Sequence, residues 1–154
     1  MSQISEYLTE SHRLCDTLFS ELEDFVASKE WEGATKKFDQ FSFELNSHLG
    51  REESVLFPEF EATAGSVSGP TQVMRIEHDR IRAVLISLYD AITVKDMESF
   101  IGASETMHIL IQQHNMKEEQ ILYSMADNLL AGRGEEIVKK MDEYKTRLQN
   151  EHAG

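Results

Sequence analysis

A six-residue pattern occurs twice in this chain, as His48-Leu49-Gly50-Arg51-Glu52-Glu53 and, 66 residues later, as His114-Asn115-Met116-Lys117-Glu118-Glu119. Each copy lies inside an apolar stripe of helical period. The first stripe runs Ala34, Phe38, Phe41, Leu45, His48, Glu52, Val55, Leu56. The second runs Ala103, Met107, Leu110, Ile111, His114, Glu118, Ile121, Leu122, Met125. On an α-helix, residues four apart differ by only about 40° around the axis, one turn above the other. An imidazole and a carboxylate therefore project from one face in each copy, at positions the periodicity assigns to a core. An ionised carboxylate in a bundle interior is strongly unfavourable unless it is paired or coordinated, and Lys and Arg are missing from these stripes. A fold that accepts this sequence has to bring the two faces together around a compensating positive charge.

Two further stripes complete the pattern: Leu8, His12, Cys15, Phe19, Leu22, Val26, and Met74, His78, Ile81, Leu85, Leu88, Ile92. The same offset of 66 carries His12 onto His78, His48 onto His114, Glu52 onto Glu118 and Glu53 onto Glu119. Core positions follow in kind, Leu8 on Met74, Cys15 on Ile81, Phe19 on Leu85 and Leu56 on Leu122, while identity elsewhere is sparse. Residues with metal-ligand chemistry coincide and the surface does not. This predicts an all-α, up-down-up-down four-helix bundle with pseudo-twofold symmetry and its site on the axis. The bundle is expected over about 5–130 and a short additional C-terminal helix over about 135–150, the whole of 1–154 being a single domain. Ile137, Met141, Tyr144 and Leu148 form the docking face of that last helix.

Local signals place the breaks. Ser28 and Asp96 read as N-caps, and Pro58 as a kink or an end of the second helix. Ala64–Pro70 reads as the longest loop, with Pro70 in the first turn of the third helix. Gly132 and Gly134 read as the end of the fourth.

The bulk numbers exclude several classes. A net charge of −13 with no basic stripe argues against nucleic acid and anionic membrane as partners. No apolar run approaches a membrane span, and the first residues lack a basic region followed by an apolar stretch, so a cytoplasmic location is expected. The single cysteine, Cys15, excludes an internal disulfide framework and a Cys-rich zinc site, and reads as a buried apolar thiol. Imidazole and carboxylate donors instead match the intermediate softness of iron or manganese. Each metal would take two histidine nitrogens and share bridging carboxylates with its neighbour. Glu53 and Glu119 fall about 100° round the helix and are expected to be solvated or to stand behind the ligands. His108 and His152 lie off the stripes and read as exposed. Met74 and Met107 read as core filler, and Trp31, Phe38, Phe41 and Phe43 as packing. No catalytic residue and no organic-cofactor site is assigned.

A histidine in helix one, then His48-x-x-x-Glu52-Glu53 leading into Leu56-Phe57-Pro58, then Glu77-His78, then His114-x-x-x-Glu118-Glu119, resembles the haemerythrin-like (HHE cation-binding) family. The likeness runs from about Leu8 to Leu130. Ferritin-like di-iron bundles differ, using Glu-x-x-His with further glutamates. The resemblance implies His12, His48, His78 and His114 as terminal ligands and Glu52 and Glu118 as bridging carboxylates. It implies two non-haem iron ions, with manganese or zinc able to fill the same ligands in recombinant material. The sequence departs from oxygen-carrying haemerythrins at two places. Met74 stands where they have a further histidine, and Glu118 and Glu119 stand where they have an Asp five residues after the last histidine. A more symmetric centre follows, with open positions on both metals. The implied function is binding or sensing O2 or NO. The alternatives are a di-iron enzyme removing peroxide or NO, or an iron donor in stress repair; a metal-free structural bundle is the third reading. The partners implied are a small diatomic ligand or peroxide, in a monomer or homodimer.

Overall fold

A computed structural model describes residues 3–65 and 69–153. The chain runs as α1 (Gln3–Ala27), α2 (Trp31–Arg51), a first π-helical turn (Glu52–Leu56), α3 (Phe57–Ala64), α4 (Pro70–Thr93), α5 (Met97–Lys117), a second π-helical turn (Glu118–Leu122), α6 (Tyr123–Leu129) and α7 (Gly134–Ala153). The backbone stays in the right-handed helical region through both π turns, so α2 continues into α3 and α5 into α6 as two rods. With α1 and α4 these rods form the expected all-α bundle. α1 packs on α2 and α4 on α5 as hairpins, and the hairpins join through α2 against α4 and α1 against α5 and α6.

Two apolar clusters fill the interior. One, built around Phe19, Leu22, Phe41, Leu49, Leu88 and Met107, occupies the end of the bundle that carries the α1–α2 and α4–α5 turns. The other joins Ile4, Leu8, Leu56, Phe57, Leu122, Tyr123, Ile137 and Met141. The residues between them along each rod form a buried polar layer: His12, His48, Glu52, His78, His114 and Glu118. Burial of large apolar side chains above and below, at about 25 cal/mol per Å², holds that layer away from water.

The helix signals resolve unevenly. Every member of the stripes on α1 and α4 is buried, as is the second stripe from Ala34 to Glu52. The last stripe goes out of phase after Glu118: Ile121 and Met125 are exposed, while Leu122, Tyr123 and Ala126 are buried. The cause is the π turn, whose Tyr123 N–H donates to the carbonyl of Glu118, five residues back, and so adds one residue to that turn. Asp96 caps α5 by accepting from the Ser99 N–H at 3.1 Å. Ser28 does not cap α2. It lies in the turn, Lys29 takes φ 57°, and Glu30 precedes the helix without a side-chain cap. Pro58 sits in the first turn of α3 and the helix continues past it, because the missing N–H falls beside the widened turn. α3 ends at Gly65, whose φ of 75° suits glycine, and 66–68 of the expected loop lie outside the described residues. Gly132 takes φ 87° beyond α6, whereas Gly134 opens α7 instead of ending the preceding helix.

α7 is longer than expected, 20 residues, and lies on α1, α2 and the first π turn. Its own Ile137 and Met141 are fully buried against the bundle, and its Tyr144 covers Gly50, where any Cβ would collide with the phenol. The helix therefore caps the bundle. Met141→Ala should cost about 2–5 kcal/mol in denaturant unfolding and speed proteolysis within α7. An unchanged midpoint would mean that α7 is only loosely seated.

Candidate metal centre

Each of the four long helical segments contributes one histidine to the polar layer: His12 from α1, His48 from α2, His78 from α4 and His114 from α5. The rings stand in two pairs, His12 with His48 at 4.5 Å between centroids and His78 with His114 at 4.9 Å. Glu52 and Glu118 open the two π turns and are fully buried. All six residues singled out in the sequence come together. Their donor atoms fall into two groups, each within 4.8 Å: Glu52, His78, His114 and Glu118, and His12, His48 and Glu118.

The Nε2 atoms face inward. His12 Nε2 lies 3.0 Å from Glu118 Oε1, His114 Nε2 lies 3.3 Å from Glu118 Oε2, and His78 Nε2 lies 3.1 Å from Glu52 Oε1. Glu118 thus turns one oxygen to each histidine pair. The Nδ1 atoms face outward and each has a partner. His12 donates to Glu119 (2.7 Å), His78 to Glu53 (2.8 Å) and His114 to Glu77 (2.8 Å), while His48 Nδ1 pairs with Ser11 Oγ (2.8 Å). Such contacts fix the ring orientation and leave the Nε2 lone pair aimed at the interior, the usual arrangement behind a metal-binding histidine. Glu53 and Glu119 therefore stand behind histidines of the opposite hairpin and are not free in solvent. Arg82 clamps Glu53 with two bonds of 2.7 and 2.8 Å, Lys117 holds Glu77, and the buried Arg51 donates to Ser11 Oγ at 2.9 Å.

Several of these partners were not visible in the stripes. Ser11, Arg51, Glu77 and Tyr123 lie outside the apolar positions, yet Tyr123 enters the layer. Its hydroxyl donates to Glu52 Oε2 at 2.7 Å and lies 3.0 Å from Glu118 Oε1. By α-helical phase Tyr123 stands about 140° from Glu118; the π turn brings it round. The signal that would have found it is the 66-residue offset, which pairs Tyr123 with Phe57 just past each Glu-Glu. Cys15 belongs to the apolar cluster and to neither donor group, and burial pushes its thiol up to about 12. His108 pairs with Glu23 at the surface and His152 is exposed.

The residues fit a metal cation. Glu52 Oε1, His78 Nε2, His114 Nε2 and Glu118 Oε2 are buried and close in pairs, yet none makes a well-directed hydrogen bond among the described residues. Native interiors leave few such atoms, and these four come one from each residue of the larger donor group. A cation between them would satisfy all four.

Titration follows the same charge logic. Burial alone would lower His12 and His78, but Glu118 and Glu119 raise His12 to about 9, and Glu118, Glu52 and Glu53 raise His78 to about 11. Burial, with His12 adding to it, lowers His48 to about 3. Burial and the neighbouring Glu118 raise Glu52, whereas Glu118 itself, which burial would raise, is held well below the carboxylate range by His114, His12 and His48. Burial, Glu118 and Glu52 drive the Tyr123 phenol well above its ordinary value. Protons on histidine thus supply the positive charge that the carboxylates demand.

The sequence profile of the Hemerythrin HHE cation-binding domain matches residues 3–126. The chain belongs to the haemerythrin family. A hemerythrin-like protein of Schizosaccharomyces pombe is 30% identical to it over 121 residues, which is 78% of this chain and 57% of the relative. The chain therefore spans little more than half the length of that relative. No solved structure matches it significantly. The span that matches the haemerythrin profile holds all six residues of the polar layer together with Tyr123, and ends before α7.

A pH dependence follows. His12 and His78 have folded values raised above 6.5, so their stabilisation of the metal-free fold is complete below about 6.5. It is lost as pH rises through about 9 and about 11. Metal binding needs the neutral imidazoles and has to displace those protons. Loading at neutral pH should release protons, and affinity measured against a competing chelator should fall as pH is lowered. A pH-independent affinity would contradict the charge balance described.

Proposed function

We propose that this chain is a non-haem di-iron protein that binds O2 or NO at its His/Glu layer. His12 and His48 would hold one ion, His78 and His114 the other, with Glu52 and Glu118 bridging. The observation that carries this reading is Glu118, buried between the two histidine pairs with Oε1 on one and Oε2 on the other. When bound, a ferrous pair supplies electrons and open coordination positions for a diatomic ligand.

The chain's own residues set what can reach that pair. Phe57, Leu8, Leu56 and Leu122 close the layer on one side and Leu49 on the other, all essentially without exposure. Only a small ligand, O2, NO or peroxide, suits such an interior. The outward Nδ1 contacts keep the imidazoles in place whether or not a ligand is bound. Manganese or zinc would satisfy the same donors in recombinant material. The apolar face of α7 is already covered by α1 and α2, which supports a monomer over a dimer built on that helix. A cytoplasmic setting accords with the single thiol and with the finding that no described helix is long and apolar enough to cross a membrane.

Two experiments test the reading. Anaerobically reduced, iron-loaded protein should develop a visible band on adding O2 that disappears on degassing. Irreversible oxidation with turnover of peroxide and an electron donor would instead make it a di-iron enzyme. Replacing both His114 and Glu118 by Leu should abolish iron stoichiometry, because it removes one donor of the larger group and the carboxylate common to both. Retention of two irons by that variant would defeat the ligand assignment.

A further inference from the structure

The two donor groups are unequal. Glu52, His78, His114 and Glu118 make four donors, whereas His12, His48 and Glu118 make three. The Tyr123 hydroxyl oxygen stands against the smaller group. It lies 3.2 Å from His12 Nε2, 3.5 Å from His48 Nε2 and 3.0 Å from Glu118 Oε1. Nitrogen and oxygen donors on one ion, each at about 2.1 Å, stand roughly 3.0–3.5 Å from their neighbours. The phenol oxygen has that spacing to all three. We propose that Tyr123 is a phenolate ligand of the ion held by His12, His48 and Glu118, and so completes a fourth donor there.

The other half of the bundle shows what the oxygen adds. Phe57 occupies the position related to Tyr123 by the 66-residue offset. Its ring stacks on His78 at 5.6 Å and 25°, as the Tyr123 ring stacks on His12 at 5.7 Å and 25°. The backbone and ring placement are shared, and only the hydroxyl differs. The same halves differ behind their second histidines. His114 Nδ1 is backed by the carboxylate of Glu77, whereas His48 Nδ1 is backed by the neutral Ser11, itself held by the Arg51 guanidinium. An ion at His12 and His48 therefore receives less negative charge through its histidines, and an anionic oxygen from Tyr123 restores the balance. Coordination breaks the phenol O–H bond, forms an oxygen–metal bond and releases that proton to solvent, with no change of oxidation state.

This inference rests on the metal reading above, and one experiment separates the two. Wild-type protein and Tyr123→Phe are loaded with iron(III), and metal content, visible absorption and resonance Raman spectra are recorded. The wild type should show a visible phenolate-to-iron(III) charge-transfer band with enhanced tyrosinate ring modes, which shift when tyrosine is supplied ring-deuterated. Tyr123→Phe, which keeps the ring and removes only the oxygen, should lose both features and bind its weaker ion roughly tenfold less tightly or worse. Iron-loaded wild type without tyrosinate modes would overturn the proposal and leave the metal centre standing, with Tyr123 then a hydrogen-bond donor to Glu52. Persistence of the modes in Tyr123→Phe would overturn it too. Failure of the wild type to take up iron would remove the metal reading itself. The wild-type spectrum decides the matter even if the variant does not fold.

Discussion

Everything in this bundle depends on two carboxylates buried where water cannot reach them. Glu52 and Glu118 are fully enclosed, and a bare carboxylate in such surroundings is unfavourable by several kcal/mol or more. The chain answers with four inward imidazoles, and their outward nitrogens hand the charge on to the next layer. Three of those nitrogens meet glutamates, and cations such as Arg82 and Lys117 neutralise the carboxylates at the edge. Charge thus alternates from centre to surface. At the centre, buried atoms of Glu52, His78, His114 and Glu118 that make no well-directed hydrogen bond among the described residues converge.

The two π turns make this geometry available. Both open on a glutamate, at positions 52 and 118, related by the same offset as the histidines. Each turn adds a residue to its rod, opens on a buried carboxylate and brings the following aromatic residue inward. The price is a break in the apolar phase, visible where Ile121 and Met125 face solvent. π turns inside α-helices concentrate at functional sites because they carry such local cost. Here the same feature positions Tyr123 and Phe57 against the histidines.

How much could be read from the chain alone follows from the same physics. Helical periodicity places His12, His48, His78 and His114 inward because a period of 3.6 holds along each rod up to the π turns. The offset of 66 then joins the two halves, and so the bundle and its polar layer were legible. Tyr123 was not, because its inward position depends on a turn that departs from that period. Ser11 and Glu77 were not, because which helix faces which Nδ1 is a matter of packing between hairpins. Ser28 failed as a cap since the chain turns through Lys29 at positive φ before α2 begins. The pseudo-twofold relates the six repeated residues by position, although their donors group unequally, Glu118 belonging to both groups and Glu52 to one. The relation does not extend to what surrounds them, since Ser11 faces Glu77 and Tyr123 faces Phe57 across the pseudo-twofold.

The proposed function requires two ions in the polar layer, one at each donor group, with Glu118 common to both. The direct measurement is anomalous diffraction at the iron edge from crystals of the iron-loaded protein. The account predicts two peaks, one within bonding distance of His12 and His48 and the other of His78 and His114, with Glu118 touching both. One peak, or iron bound away from these histidines, would contradict it.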